Sequence, residues 1–292
     1  MVMIALVIVW GYAWVLSKLG LGYCGPLDFA TLRIALGAAT LFPALVWLKR
    51  PLRPTHLKEA LFVGMVQTAL FLFLNNWALS QGEAGKTSVL VFTMPFWVLV
   101  LAWPILHERI EGWGWVAVLL AACGLVFILE PWALRAGLFA KLLAVLAGAC
   151  WALGVLLFRR LHNREPVDVI NFTFWQMICG LVPMLVIAVT THARPIQWTP
   201  TFVGLTLFLG IFATGGGWMA WFYVLRRLPA GTTSMSSLAI PVVAIVGSAI
   251  QLGERPAASE LTGMVLIGTA LAIISLDTIC KHREVEPLMG QE

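Results

Sequence analysis

The chain has 292 residues, of which 60% are hydrophobic and 11% charged, and its mean hydropathy is +0.91. Soluble domains carry about 25% charged residues, so this composition excludes a soluble fold. The net charge of +5 is spread over short loops rather than gathered in one patch, which fits membrane orientation and argues against nucleic acid as a partner.

A bilayer-crossing helix needs about 20 mostly apolar residues. Ten such runs occur, at 2–19, 28–48, 59–80, 86–106, 113–130, 138–158, 168–190, 202–225, 232–252 and 257–277. They predict an all-α polytopic membrane protein of ten transmembrane helices. The first run has no basic residue ahead of it and reads as a membrane helix rather than a signal peptide. It carries Trp10 and Trp14, four apart and on one face. The second run contains Arg33, about a turn and a half from its start and expected to snorkel to the interface. The third places Gln67, Asn75 and Asn76 at depth, where polar groups usually face the bundle interior. In the fourth, Thr87, Met94 and Trp97 share one arc at ~100° per residue, beside Pro95. Trp151 lies in the sixth run, Trp175 and Gln176 in the seventh, Gly215-Gly216-Gly217 in the eighth and Pro241 in the ninth.

Internal similarity orders these runs. Trp10 and Lys18 match Trp151 and Arg159, and Asp28 and Pro43 match Asp168 and Pro183. "AGKTS" (84–88), Pro95 and Glu108 match "AGTTS" (230–234), Pro241 and Glu254, all at a nearly constant spacing. The reading is a five-helix unit used twice: residues 1–131, then residues 132–280, followed by a tail at 281–292. Five is odd, so the second unit enters the membrane inverted, as in many secondary transporters. With the N-terminus cytoplasmic, twelve loop Lys and Arg residues lie on that side and six on the other, which places both termini inside.

Ten helices in two fives, the early Trp10-Gly11, the prolines at 95 and 241 and the glutamates at 108 and 254 resemble the drug/metabolite transporter superfamily, EamA type. The resemblance implies a cavity between the repeats that opens alternately to each side of a bacterial-type inner membrane. It implies a small-molecule cargo drawn from amino acids, other metabolites, drugs, nucleotide sugars or sugar phosphates. It implies no cofactor, and a monomer or homodimer in the lipid bilayer.

Several motifs have ordinary readings that compete with functional ones. "GEAGKTS" (82–88) lacks the first glycine of a phosphate loop, which falls on Ser80, and follows a helix rather than a strand. Asn171-Phe172-Thr173 fits a glycosylation pattern but lies inside a span. Five cysteines without a C-x-x-C read as small buried hydrophobes, with no disulfide framework and no metal site. Five scattered histidines, and no carboxylate in the middle of any span, leave no catalytic constellation, so an enzyme is not expected. The missing deep carboxylate also favours a facilitator or exchanger over a proton-coupled pump. Trp47, Trp113, Trp115 and Trp198 read as interfacial anchors.

The residues expected to line a substrate cavity are Trp10, Trp14, Gln67, Asn75, Met94, Trp97 and Trp151, because a deep indole or amide needs a partner that lipid cannot supply. Pro95, Pro241, Gly215, Gly216 and Gly217 are candidate helix breaks or hinges, with close helix packing the competing reading. Glu108 and Glu254 read as repeat markers that accept backbone N–H groups at the start of the following helix. Scarce Lys and Arg at depth disfavour phosphate-bearing cargo. The expected cargo of such an exporter or exchanger is a neutral or zwitterionic metabolite, amino acids including aromatic ones; the alternatives are a drug or cationic compound, or a nucleotide sugar or sugar phosphate, within the same superfamily, and after these a non-transporting membrane protein or membrane enzyme.

Overall fold

The computed structural model describes residues 2–106, 112–129, 137–191, 194–227 and 239–289. Among these residues every regular element is helical. In chain order the helices are α1 (Val2–Gly20), α2 (Pro26–Trp47), α3 (Leu57–Gln81), α4 (Ala84–Leu106), α5 (Trp113–Leu129), α6 (Leu138–His162), α7 (Val169–Thr190), α8 (Pro200–Arg226), α9 (Ala239–Gln251) and α10 (Ala258–Met289). Seven of them, all but α5, α9 and α10, are long and apolar enough to cross a membrane. Each predicted run thus falls on a helix, but α5 has 17 residues and α9 only 13, less than the usual crossing length. The segments that flank them, 107–111, 130–136 and 228–238, lie outside the described residues.

Local chemistry sets several helix starts. Pro26 opens α2 at a position where its missing N–H is not needed. Asp168 caps α7 by accepting from the N–H groups of Ile170 (3.0 Å) and Asn171 (3.1 Å). The Thr199 hydroxyl accepts from Phe202 N at the start of α8.

Two helices depart from α geometry at their centres. Residues Gly64–Leu70 of α3 and Leu209–Gly216 of α8 form π-helical turns, which shift the backbone ladder and are frequent at functional sites. The first packs on α7 and the second on α2. Elsewhere α1 lies on α9, α4 on α6, α2 on α7 and α5 on α10. Small residues permit the close approaches. A Cβ on Gly180 would stand 2.6 Å from the Gly64 carbonyl oxygen, and one on Gly263 would stand 2.6 Å from that of Gly124. Only a hydrogen fits in either place, which is how membrane helices gain contact without a hydrophobic driving force.

Polarity is distributed inside out. Ile4, Ile8, Phe42, Val186, Val189 and Ile250 are exposed, whereas Arg33, Gln67, Asn75, Asn76, Asn171 and Gln176 are buried. In water this arrangement would expose a greasy shell, while in lipid it satisfies both surfaces. The protein is an integral membrane protein. Asn171 is 1% exposed and donates to the Pro51 and Arg53 carbonyls (2.6 and 3.0 Å), so it fastens the α2–α3 loop rather than presenting a glycosylation site. The Trp175 indole donates to the Leu52 carbonyl in the same loop.

Candidate functional site

One face of α1 builds a wall. Trp10, Ala13, Trp14 and Ser17 recur at helical spacing and all border a cavity at the centre of the bundle. The opposing wall comes from Arg33 of α2, Phe71, Leu72 and Asn75 of α3, Phe92 of α4, Trp151 of α6, and Ala213 and Trp218 of α8. The space amounts to about 60 Å³, well below the usual size of a small-molecule site, so the walls are closed on one another in this conformation.

Aromatic rings form most of the lining. Trp151 packs edge-on against Trp10 (5.5 Å between centroids), Trp218 (5.7 Å) and Phe92 (5.3 Å), and tilted against Phe71 (5.5 Å). Trp10 also meets Trp218 at 5.4 Å. These separations suit the quadrupoles of the rings and make the cluster stiff. The π-helical turn of α8 positions Trp10, because the Ala213 carbonyl in that turn accepts from the Trp10 indole N–H at 2.8 Å. Gly217 makes room for the ring, since a Cβ there would collide with Trp10 Nε1.

Three polar side chains border the same space, Ser17, Arg33 and Asn75. The Arg33 side chain is buried, with 8% of the residue exposed. Its Nη1 donates to Ser17 Oγ at 3.1 Å and its Nε to Thr214 Oγ1 at 3.4 Å, while Phe29 lies 5.8 Å from its guanidinium carbon. No carboxylate among the described residues pairs with it. Asn75 Oδ1 and Trp151 Nε1 are buried with no hydrogen-bond partner among the described residues. The expectation that Arg33 snorkels to the interface is corrected here. Its side chain turns toward α1 and α8, so the depth of the protein does hold a cation.

The sequence-predicted residues divide in two. Trp10, Trp14, Asn75 and Trp151 come together around the cavity. Gln67, Met94 and Trp97 are not among the residues that border it. Gln67 is buried in the π-helical turn of α3 against Gly154 of α6, and its two amide atoms lack partners among the described residues. Met94 is in the core and Trp97 packs half-buried against it. Phe92 is the α4 residue that reaches the cavity. Arg33, Ser17, Phe92, Trp218 and the neighbouring Trp221 were missed. Trp218 and Trp221, three apart directly after three glycines, were the signal available in the sequence.

The candidate breaks have local explanations. In α4 the α geometry stops after Val91 and resumes at Met94, so Pro95 sits in the first turn of a new segment rather than mid-helix. Pro95 cannot donate to the Val91 carbonyl. That carbonyl instead faces Gly148 of α6, where a Cβ would stand 2.6 Å from it. Pro241 is likewise the third residue of α9, and what precedes that helix lies outside the described residues. Gly215 abuts Gly37 of α2, and Gly216 ends the π-helical turn.

Glu254 corrects another expectation. Its carboxylate accepts from the N–H groups of Ala84 (2.7 Å) and Gly85 (3.0 Å), at the start of α4 and not of the following helix α10. Glu108 lies outside the described residues. Trp47, Trp113, Trp115 and Trp198, read as anchors, are all exposed.

Contacts tie the helices together on both sides of the bundle. On one side Lys18 donates to the carbonyls of Leu79 (2.8 Å) and Gly82 (2.6 Å), one residue beyond Ser17. A second cavity of about 350 Å³ begins there, bordered by Lys18, Glu83, Lys86, Thr87 and Lys141. On the other side His56 meets Glu165 at 3.2 Å and Arg50 meets Asp168 at 3.5 Å.

The EamA-like transporter family matches residues 1–130 and 138–276. The chain belongs to the EamA-like transporter family. This EamA-like transporter is 30% identical over 270 residues to the uncharacterized transporter YoaV of Bacillus subtilis, covering 90% of this chain and 92% of that one. It is 27% identical over 280 residues to a probable amino-acid metabolite efflux pump of Escherichia coli, covering 91% of each. It is 26% identical over 284 residues to a probable terminal-alkyne amino-acid exporter of Streptantibioticus cattleyicolor, covering 95% of this chain and 93% of that one. A solved protein structure overlays on 95% of this chain and 96% of its own, with a TM-score of 0.69 at 15% identity, and so shares the fold.

Proposed function

We propose that this EamA-like transporter is a secondary carrier that exports or exchanges small neutral or zwitterionic metabolites, amino acids and aromatic ones foremost. Cargo sits in the central cavity and reaches each side in turn. The observation that carries the reading is the aromatic enclosure itself. Trp10, Trp14, Phe71, Phe92, Trp151 and Trp218 offer faces and edges to a flat apolar side chain, while unpartnered polar groups remain for a charged end. Two similar proteins carry names that specify amino acids or their metabolites, which supports the same cargo class.

Alternating access draws support from matched pairs in the two halves. Trp10 and Trp151, equivalent by the internal repeat, touch each other at the cavity. The two π-helical turns occupy equivalent places in α3 and α8 and pack on α7 and α2 respectively. The family match in two stretches fits the same division. We read these as one five-helix unit used twice in opposite orientation, with both termini cytoplasmic in a bacterial-type inner membrane and the Lys18 side facing out. The second cavity, next to the first along α1 and α4, then forms the outer vestibule.

Counterflow in proteoliposomes tests the reading. Vesicles loaded with L-phenylalanine, L-tryptophan, L-threonine, a sugar phosphate or a cationic drug are assayed for uptake of the labelled partner, with and without a pH gradient. The amino acids are expected to exchange, and exchange is expected to proceed without the gradient. Exchange of the sugar phosphate with every amino acid inert would remove the proposal.

A further inference from the structure

We infer that the cavity selects for a free carboxylate and that Arg33 is the residue that binds it. The inference rests on the reading of the central cavity as the cargo site and narrows its chemistry. Arg33 has five N–H donors. Two of them reach Ser17 and Thr214, both neutral hydroxyls, and the remaining three meet no described partner. A guanidinium buried beside six aromatic side chains, with no described carboxylate against it, is a charge awaiting its counter-ion. The Ser17 and Thr214 bonds and the Phe29 ring fix its plane without neutralising it.

Charge arithmetic selects the ligand. One carboxylate cancels the single positive charge and matches the guanidinium fork with two parallel bonds. A phosphate dianion would leave a net negative charge in the same buried space, and a cationic drug would meet a like charge. No Asp or Glu among the described residues borders the cavity, so an ammonium group meets there only neutral partners such as Ser17, Asn75 and the indole faces. The carboxylate is therefore the required end of the cargo, and the amine contributes second. With the carboxylate at Arg33, the rest of the molecule lies against the packed rings of Trp10, Trp151 and Trp218. A desamino aromatic acid is then a ligand as well, and an aromatic amine is not.

Calorimetric titration of the full-length protein in lipid nanodiscs separates these outcomes. The probes are L-phenylalanine, 3-phenylpropionate, L-phenylalaninamide, phenethylamine and L-threonine. Charge-assisted bonds predict that the amide and the amine bind at least about tenfold more weakly than 3-phenylpropionate. Arg33→Met should weaken both aromatic acids by about 10–100-fold and leave the amide within about threefold. Arg33→Lys keeps the charge, loses the fork and should fall between. Phenethylamine binding as tightly as 3-phenylpropionate overturns the inference, and this ligand series on the unaltered protein decides even where Arg33→Met fails to fold. Unchanged binding of the acids to a folded Arg33→Met protein overturns it too. If L-threonine binds through Arg33 while no aromatic ligand binds, the aromatic cargo falls and the carboxylate requirement stands. If phenethylamine is both bound and carried, the aromatic cargo stands and the carboxylate requirement falls.

Discussion

Removing the Glu254 carboxylate should loosen the contact between the two halves of the bundle. The side chain spans from the end of α9 to the first two amides of α4, at 2.7 and 3.0 Å. Those amides are among the four at a helix start that have no partner within the helix. A hydrogen bond to a charged group contributes about 1.5–3 kcal/mol, and a charge at a helix terminus adds about 0.3–1 kcal/mol. Glu254 is only partly buried, so the low end applies. Glu254→Ala should therefore cost about 3 kcal/mol, and Glu254→Gln, which keeps one acceptor oxygen, about half of that. At about 2–4 °C per kcal/mol for a chain of this order of size, Glu254→Ala should melt roughly 6–12 °C lower, with Glu254→Gln between. Thermal unfolding of the detergent-purified protein, read by loss of the monodisperse peak, measures both. A melting point within about 1 °C of the unaltered protein for Glu254→Ala would refute the clamp.

Trp151→Ala removes a ring that contacts Trp10, Phe71, Phe92 and Trp218, and should lower transport at least about tenfold, whereas Trp113→Ala, at an exposed site, should leave it within about twofold. Initial rates of counterflow compare the two. Gly217→Ala places a methyl on Trp10 Nε1 and should break its bond to the Ala213 carbonyl, a loss of about 1–3 kcal/mol by the same melting assay. Burial, with the Asp28 carboxylate second, pushes the Cys24 thiol up to about 12. Because only the thiolate reacts, maleimide should leave Cys24 unlabelled at pH 8 in the folded protein and label it after denaturation, as peptide mapping would record.

How far the sequence could be read depended on whether a residue's partner was local. Trp10, Trp14, Asn75 and Trp151 were legible because an indole or amide at depth must face the bundle, wherever its partner lies. Met94 and Trp97 were misplaced because the arc through Thr87 assumed one unbroken helix. The ladder of α4 restarts at Met94, so the phase counted across Phe92 and Thr93 does not hold. Arg33 sits roughly 10 Å into its helix by rise alone, a depth from which it can reach either the interface or the interior. Only the packing of α1 and α8 around α2 turns it inward. Glu254 was legible as a cap but not in its target, since the amides it binds are 169 and 170 residues away. The π-helical turns left no readable signature, because their residues, Gly64–Leu70 and Leu209–Gly216, are mostly apolar or small like the helix on either side.

In the proposed function the aromatic cavity holds cargo and opens to each side in turn. Its most direct test places one cysteine there, as Ala13→Cys in a protein otherwise free of cysteine, since Ala13 is buried and borders the cavity. Oriented proteoliposomes are treated with a membrane-impermeant methanethiosulfonate from the outside or from the lumen, with and without L-phenylalanine. Labelling from either face, slowed by L-phenylalanine in both cases, is the predicted result. Labelling from one face alone, or at rates indifferent to cargo, would contradict the account.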